Sequence, residues 1–145
     1  MHDDPSADET LDEKTCWEQL HTSGLGRLAT GAKGIVDIFP VNYLVHEQRI
    51  LFRTAPGTKL VNLTAAPLVA FEADGFDGRW HWSVVIHGRA RRLDNDADIA
   101  ESGVMNLVPW SSTPSTTTFA LPRPISRGGV SIDSCFREQV SPADY

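Results

Sequence analysis

The chain has 145 residues and a formal net charge of −6, with 41% hydrophobic and 22% charged residues. This length and composition predict one globular domain, and no apolar run reaches the roughly 20 residues that span a bilayer. Six of the 19 acids lie within the first 13 residues, which contain no Lys or Arg, so the rest of the chain is neutral. A neutral body lacks the basic face of a nucleic-acid binder, and we predict neither a nucleic-acid nor a membrane partner.

The N-terminal segment and the cysteines predict the domain boundary and the cellular compartment of the protein. Residues 1–9 are acidic and poor in bulky apolar side chains, which predicts a disordered tail ahead of a single domain over residues 10–145. The first residues lack the apolar region of a signal peptide, so we expect a cytoplasmic protein. Cys16 and Cys135 lie far apart without a CxxC motif, which predicts free thiols in a reducing compartment.

The pattern along the chain is mainly that of short strands. Residues 10–13, Thr-Leu-Asp-Glu, match a capping box and predict a helix that begins there and ends near Gly24. Strands are predicted over residues 25–30, 35–46, 49–54, 68–74, 80–93, 116–121 and 129–136, and further helices over 58–65 and 96–107. Their hairpin-like spacing predicts a mainly-β fold, a barrel of six to seven antiparallel strands with two to three flanking helices.

Two of these predicted strands contain residues that interrupt a regular sheet. Pro40 within the strand 35–46 indicates an edge or a bulge, and Gly88 within the strand 80–93 indicates a bulge or a close backbone approach. His81 and His87 share the polar face of the second strand but lie roughly 20 Å apart along it. They cannot bind one metal ion, and we predict no metal site.

The segment from Phe52 to Lys59 carries the strongest signal for binding. A strand ends in Arg53 and Thr54, a tight loop follows, and Thr58 and Lys59 open a helix. A helix N-terminus presents N–H groups and a partial positive charge, and Arg, Lys and Thr add donors that suit a phosphate. The alternative is a solvated basic turn in which Thr58 only caps the helix.

Two motif matches point elsewhere and are rejected. Residues 24–29 match G-x-G-x-x-A, but a helix is predicted before them and a strand after them, the reverse of a dinucleotide-binding turn. Residues 62–64, Asn-Leu-Thr, match a glycosylation sequon in a chain for which we expect no secretion. Neither match therefore predicts a site.

Four segments taken together resemble a known family. They are Gly-Arg-Leu-Ala-Thr at 26–30, Asp-Ile-Phe-Pro-Val-Asn-Tyr at 37–43, Phe-Arg-Thr with Gly-Thr-Lys at 52–59, and Trp-Ser-Val-Val-Ile-His-Gly-Arg-Ala at 82–90. Their order and spacing over residues 12–136 resemble the pyridoxamine 5′-phosphate oxidase-like family, whose members form an FMN-binding split β-barrel.

The resemblance implies a homodimer with a flavin at the subunit interface, acting as an oxidoreductase on a small molecule. The flavin phosphate would contact Arg53, Thr54, Thr58 and Lys59. The flavin ring would lie along the strand that carries Pro40, Val41 and Asn42, with Ser83 approaching from the other subunit. No side chain is identified as a catalytic acid or base.

The resemblance also leaves alternatives open. True pyridoxamine phosphate oxidases carry a C-terminal Trp and Arg segment, which residues 141–145, Ser-Pro-Ala-Asp-Tyr, do not match. We therefore expect a different substrate. Some members of the family bind the deazaflavin F420 or haem instead of FMN, so a protein that stores or senses such a ligand without catalysis is the alternative function.

Overall fold

The computed structural model describes residues 9–107, 117–121 and 131–139, which form a single antiparallel sheet with helices packed on it. Its seven longer strands are β2 (Leu25–Ala32), β3 (Ile35–His46), β4 (Arg49–Thr54), β5 (Leu68–Asp77), β6 (Trp80–Arg89), β8 (Thr117–Leu121) and β9 (Ser131–Gln139). Two strands of two residues each, β1 (Glu9–Thr10) and β7 (Arg91–Arg92), extend its edges. The helices are α1 (Glu13–Thr22), α2 (Thr58–Ala65) and α3 (Asp96–Ser102). The predicted mainly-β class is confirmed.

Strand β3 divides the sheet into two halves. The strands follow the order β1-β9-β6-β5-β2-β3-β4-β8-β7. Residues 35–42 of β3 pair with β2, whereas residues 43–46 pair with β4. At Pro40 the strand therefore has a ladder partner on one side, as expected for a residue without an N–H. A strand shared in this way between two halves is the basis of a split barrel.

The core lies on the inner face of this sheet. Three alternate residues of β6, Trp82, Val84 and Ile86, are buried in it. They pack with the largest buried side chains of β3, β4 and β5, which are Tyr43, Phe52 and Phe71. Gly26 permits part of this packing, because a Cβ there would come within 2.5 Å of the Phe71 ring. Residues 24–29 enter strand β2 rather than a helix, so the rejection of the dinucleotide motif is confirmed.

Helix α1 begins later than the capping box predicts. Asp12 is the N-cap, and its Oδ1 accepts a hydrogen bond from Thr15 N at 2.8 Å. Thr10 instead lies in β1, where it pairs with β9. The helix buries Trp17 and Leu20, and the Tyr43 hydroxyl donates to the Leu20 carbonyl oxygen at 2.8 Å. Burial raises the pKa of Tyr43 to about 12, so this hydroxyl stays a donor at neutral pH.

Two predicted elements are interrupted. The strand predicted over 80–93 ends at Arg89, and residues 91–92 join the other half of the sheet by pairing with β8. The bulge lies between Val85 and Ile86 rather than at Gly88. The helix predicted over 96–107 ends at Ser102, because Gly103 adopts φ 77°, and a 3₁₀ turn, Val104–Asn106, follows.

The prediction of free thiols is wrong. Cys16 on α1 and Cys135 on β9 form a disulfide with a Cα–Cα distance of 6.1 Å. The 119 residues that separate them hide this proximity, which arises because β9 pairs with β6 beneath α1. Leu11 N also donates to the Cys135 carbonyl at 3.0 Å, so this hydrogen bond and the disulfide together hold the start of α1 on β9.

Several predictions lie outside the described residues. They concern the acidic tail, apart from its last residue, and the segment 141–145. Among the described helices, none is long and apolar enough to cross a membrane.

Candidate functional site

Strands β3 and β4 separate beside several of the predicted binding residues. Their pairing ends at Tyr43 and Phe52. Continued by one residue, the register would set Asn42 opposite Arg53, but the ladder stops before this pair, and Asn42 and Arg53 keep only the strand partners on their other sides, in β2 and β8. We call the gap between residues 40–42 and 53–54 the strand crevice.

Arg53 is held in a fixed orientation on one side of the strand crevice. Its Nη1 donates to the carbonyl oxygens of Met105 and Leu107 at 3.2 and 2.9 Å, at the end of the 3₁₀ turn. The side chain is half-buried, so part of its hydration is already lost. A guanidinium fixed in this way keeps its positive charge and its planar donor geometry in one place.

The loop after β4 leads directly into the first turn of α2. Gly57 has φ 153°, a conformation that favours glycine, and it is the N-cap of the helix. The first helical hydrogen bond runs from Val61 N to the Gly57 carbonyl at 3.1 Å. The backbone N–H groups of residues 58–60 therefore have no partner within the helix and point out of its end. Gly57 rather than Thr58 caps the helix, and Thr58 is the first helical residue.

Lys59 joins this helix end to strand β3. Its Nζ lies 5.7 Å from the centre of the Phe39 ring, within range of a cation–π interaction. Burial lowers the pKa of Lys59, because the surrounding protein has replaced part of its water. A desolvated ammonium group gains more from a bound anion than a hydrated one does.

The donor set of the strand crevice fits a phosphate monoester. It combines an oriented guanidinium from Arg53, a desolvated ammonium from Lys59, a hydroxyl at Thr58 and the N–H groups of a helix end. This combination of hard, positively charged donors suits a dianion and does not suit a metal cation.

The remaining predicted residues on β3 differ in their exposure. Pro40 is exposed and Asn42 is half-buried, so both can contact a ligand in the strand crevice. Val41 is 1% exposed and belongs to the core, so it can offer such a ligand only its backbone. The binding roles of these residues stay predictions.

Ser83 does not join the strand crevice within one chain. It lies on β6, three strands from β3 in the sheet, which is about 14 Å at the usual strand spacing. It pairs with Asp74 on the outer face, the face of the sheet opposite the core. Its predicted role therefore requires a second subunit, as the resemblance to the family implies.

An ion-pair network that the sequence analysis missed runs across the outer face beside Ser83. Arg27 on β2 contacts Glu72, at 2.7 Å, and Asp74, both on β5. His81 Nε2 lies 3.0 Å from Asp74 Oδ2, and His81 Nδ1 lies 3.5 Å from Glu138 Oε1. The Asp74 hydrogen bond raises the pKa of His81, with Glu138 adding to it, although burial opposes the shift. His81 is therefore paired with two carboxylates, and these contacts favour the charged form of its imidazole.

One group of potential metal ligands occurs among the described residues. Ligand atoms of His46, Glu47 and Asp98 lie within 4.8 Å of one another. Arg49 already contacts both oxygens of Asp98, at 2.9 and 3.0 Å, and its charge occupies the position that a cation would take. The group is explained by this ion pair between β4 and α3.

The outer face also carries an apolar groove of about 400 Å³, lined by residues of β2, β3, β5 and β6. Small residues of β2 and β5 form its floor, and Val36, Leu68 and His87 stand around it. Val36, Ile38 and Leu68 are 73%, 68% and 65% exposed. An apolar area of this kind on a sheet face is typical of a surface that another molecule covers.

Comparisons with known proteins agree with this architecture. Residues 12–124 match the family model described as pyridoxamine 5′-phosphate oxidase. The chain is 30% identical to the uncharacterized protein Rv0080 of Mycobacterium tuberculosis over 125 residues, which cover 81% of this chain and 82% of that protein. It is 41% identical to the uncharacterized protein Rv3129 of the same species over 70 residues, 48% of this chain, and spans 64% of that relative's length.

A solved structure extends the similarity to nearly the whole chain. The FAD binding protein from Mycobacterium smegmatis is 35% identical, with a TM-score of 0.68, and the match covers 92% of this chain and all of that one. The fold defines a split-barrel protein. The chain belongs to the pyridoxamine 5′-phosphate oxidase-like family.

Proposed function

We propose that this protein is an FMN-dependent oxidoreductase that acts on a small molecule. One observation carries the proposal: the pairing of β3 and β4 ends beside residues 40–42 and 53–54, and the loop after β4 leads directly into α2, whose Lys59 lies over Phe39 of β3. The donor set there suits the phosphate of a flavin. The 35% identical FAD binding protein supports a flavin as the ligand.

A bound flavin would supply the electron-transfer chemistry, and the chain would supply binding and orientation. Arg53 and Lys59 would neutralise the phosphate, and the N–H groups at the start of α2 would donate hydrogen bonds to its oxygens. Pro40 and Asn42 would contact the flavin ring from β3. The acid or base that serves the substrate is not assigned.

A homodimer is part of this proposal. Supporting it are the exposed apolar residues of the outer face, which a second copy would cover, and the distance of Ser83 from the strand crevice of its own chain. The same arrangement would bring Ser83 of one subunit toward the flavin of the other. A sedimentation experiment tests it, and a monomer in the presence of saturating flavin would contradict the shared site. A cytoplasmic location stays a prediction, and the cysteines no longer support it.

The alternative is a protein that binds a flavin, F420 or haem without catalysis. The 35% identical FAD binding protein supports it equally, because both functions require that a cofactor is bound. The two functions share the strand crevice and differ in whether the bound cofactor exchanges electrons with a nicotinamide donor and an acceptor.

Purification of the protein distinguishes these possibilities. We expect an absorbance band near about 450 nm, and release of the ligand by heat followed by mass measurement will identify FMN, FAD or F420. A Soret band would indicate haem. Bleaching of the flavin by NADH or NADPH supports the oxidoreductase, and a flavin that stays oxidised with both donors favours the binder. A colourless protein that takes up none of these ligands would contradict the proposal.

A further inference from the structure

Helix α2, which carries the proposed phosphate donors, contacts the sheet through a buried amide in addition to its apolar packing. Asn62 is 8% exposed. Its Nδ2 donates to Thr30 Oγ1 at 3.1 Å and to Asp37 Oδ2 at 3.0 Å. Both donor hydrogens of this amide are therefore used within the protein, which also means that the sequon at 62–64 is inaccessible in the folded chain.

The two acceptors of Asn62 belong to different strands at the same register. Thr30 on β2 and Asp37 on β3 are a directly opposite cross-strand pair. One amide therefore contacts both strands at a single point of the sheet. A hydrogen bond is directional, so two of them from one group fix where the helix lies along the strands and how it is rotated about its axis.

Lys59 supplies a second contact in line with the first. Lys59 lies over Phe39 of β3. Asn62 follows Lys59 by three residues on the helix, and it binds Asp37, which precedes Phe39 by two residues on the strand. A helix rises about 4.5 Å over three residues and a strand about 6.6 Å over two, so both contacts can form side by side. The first turn of α2 is thereby tied to β3 next to residues 40–42.

The other contacts of α2 do not define its position as closely. Leu63 is buried, and Leu60 packs against the same core. Apolar packing depends on contact area and has little directionality, so these two leucines tolerate a small rotation or slide of the helix. The amide contact is the feature that resists such movement.

We infer that Asn62 is a positioning residue for the cofactor phosphate, a role that rests on the proposed flavin function. Asn62 lies one helical turn after Thr58, about 6 Å along the axis. By binding Thr30 and Asp37 together, it sets the distance from the N–H groups of α2 to Arg53 across the strand crevice. The phosphate group, rather than the flavin ring, depends on this distance.

The test compares FMN with riboflavin, which has the same ring and lacks the phosphate. In Asn62→Asp, a carboxylate replaces the donating amide and faces Asp37, and we expect FMN affinity to fall about 10-fold with riboflavin affinity unchanged. Thr30→Val removes one acceptor at nearly constant volume, and an effect of about 3-fold on FMN alone is expected. Asp37→Asn keeps an accepting oxygen and should retain the wild-type ratio of the two affinities.

The control is Thr64→Ala, which changes an exposed residue of the same helix whose hydroxyl donates within the helix, to the Leu60 carbonyl. Equal losses of FMN and riboflavin affinity in the Asn62 and Thr30 variants, or no loss in either, would overturn the positioning role. If Asn62→Asp does not fold, Thr30→Val decides the question. A wild-type protein without any preference for FMN over riboflavin would contradict the phosphate site itself, and the positioning role with it.

Discussion

Removing the disulfide between Cys16 and Cys135 should lower the stability of the protein without changing its fold. The bond closes a loop over a sequence separation of 119 residues. In the chain-entropy description a loop of this length restricts the unfolded chain by an amount equivalent to about 5 kcal/mol, and measured losses usually reach about 2–4 kcal/mol. We expect a loss within that measured range for Cys16→Ala combined with Cys135→Ala.

The fold should survive because α1 has other attachments. Trp17 and Leu20 remain buried, and the hydrogen bonds of Tyr43 to Leu20 and of Leu11 to the Cys135 backbone do not involve the sulfur atoms. Far-UV circular dichroism of the double variant should match that of the wild type. The helix would then be held by apolar packing and these two hydrogen bonds.

Urea denaturation with and without a thiol reductant measures the effect. The reductant should lower the midpoint of the wild type to that of the double variant, and it should leave the double variant unchanged. Thiol titration of the unfolded, non-reduced wild type should detect no free cysteine. Two free thiols per chain in that titration, or a midpoint insensitive to reduction, would refute the reasoning.

Two further predictions concern ion pairs. Arg49→Ala removes a bidentate contact with Asp98 that joins β4 to α3, and it should lower the free energy of unfolding, measured by urea denaturation, by about 1 kcal/mol. Adding Asp98→Asn should lower this free energy little further, because the contact is already lost. His81→Gln should destabilise the protein by about 0.5 kcal/mol near pH 6. Because Asp74 and Glu138 raise the pKa of His81 above its ordinary 6.5, this stabilisation is present below that value and is lost as the pH rises through the folded-state pKa. An equal effect of His81→Gln at about pH 6 and pH 9 would contradict the charged pairing.

Local sequence patterns predicted much of the fold because the periodicity of burial is local. The strand at 35–46 and the helix at 58–65 have the predicted bounds, and the alternation along β6 correctly separates its core face from its outer face. Pro40 indicated an edge, and the structure places it where β3 has a partner on one side. These features depend on neighbouring residues and on the strand period of two.

The wrong predictions arise from contacts between residues that lie far apart in the sequence. The disulfide depends on two residues brought together by the pairing of β9 with β6, which no local pattern encodes. The capping box at residue 10 was overridden because β1 pairs with β9, a tertiary contact that leaves Asp12 to cap α1. In both cases a strand pairing between residues far apart in the sequence decided the outcome.

The residue types of the candidate site were predictable from the sequence, but their arrangement in space was not. Arg53, Thr58 and Lys59 stand out in the sequence because cationic residues flank a glycine-containing loop at a helix start. The role inferred for Asn62 required the structure, since its acceptors lie 32 and 25 residues away. Its spacing of three residues from Lys59 was the one local sign that both side chains share a helix face.

Flavin binding by a variant of the strand crevice tests the central claim most directly. Arg53→Ala combined with Lys59→Ala removes both cationic side chains, and Lys33→Ala combined with Arg79→Ala removes the same charge from exposed turns elsewhere. Titration of each apoprotein with FMN and with riboflavin should show FMN affinity reduced about 100-fold or more in the first variant, with riboflavin affinity retained and the second variant unchanged. An FMN affinity equal to that of the wild type in the first variant would contradict the account.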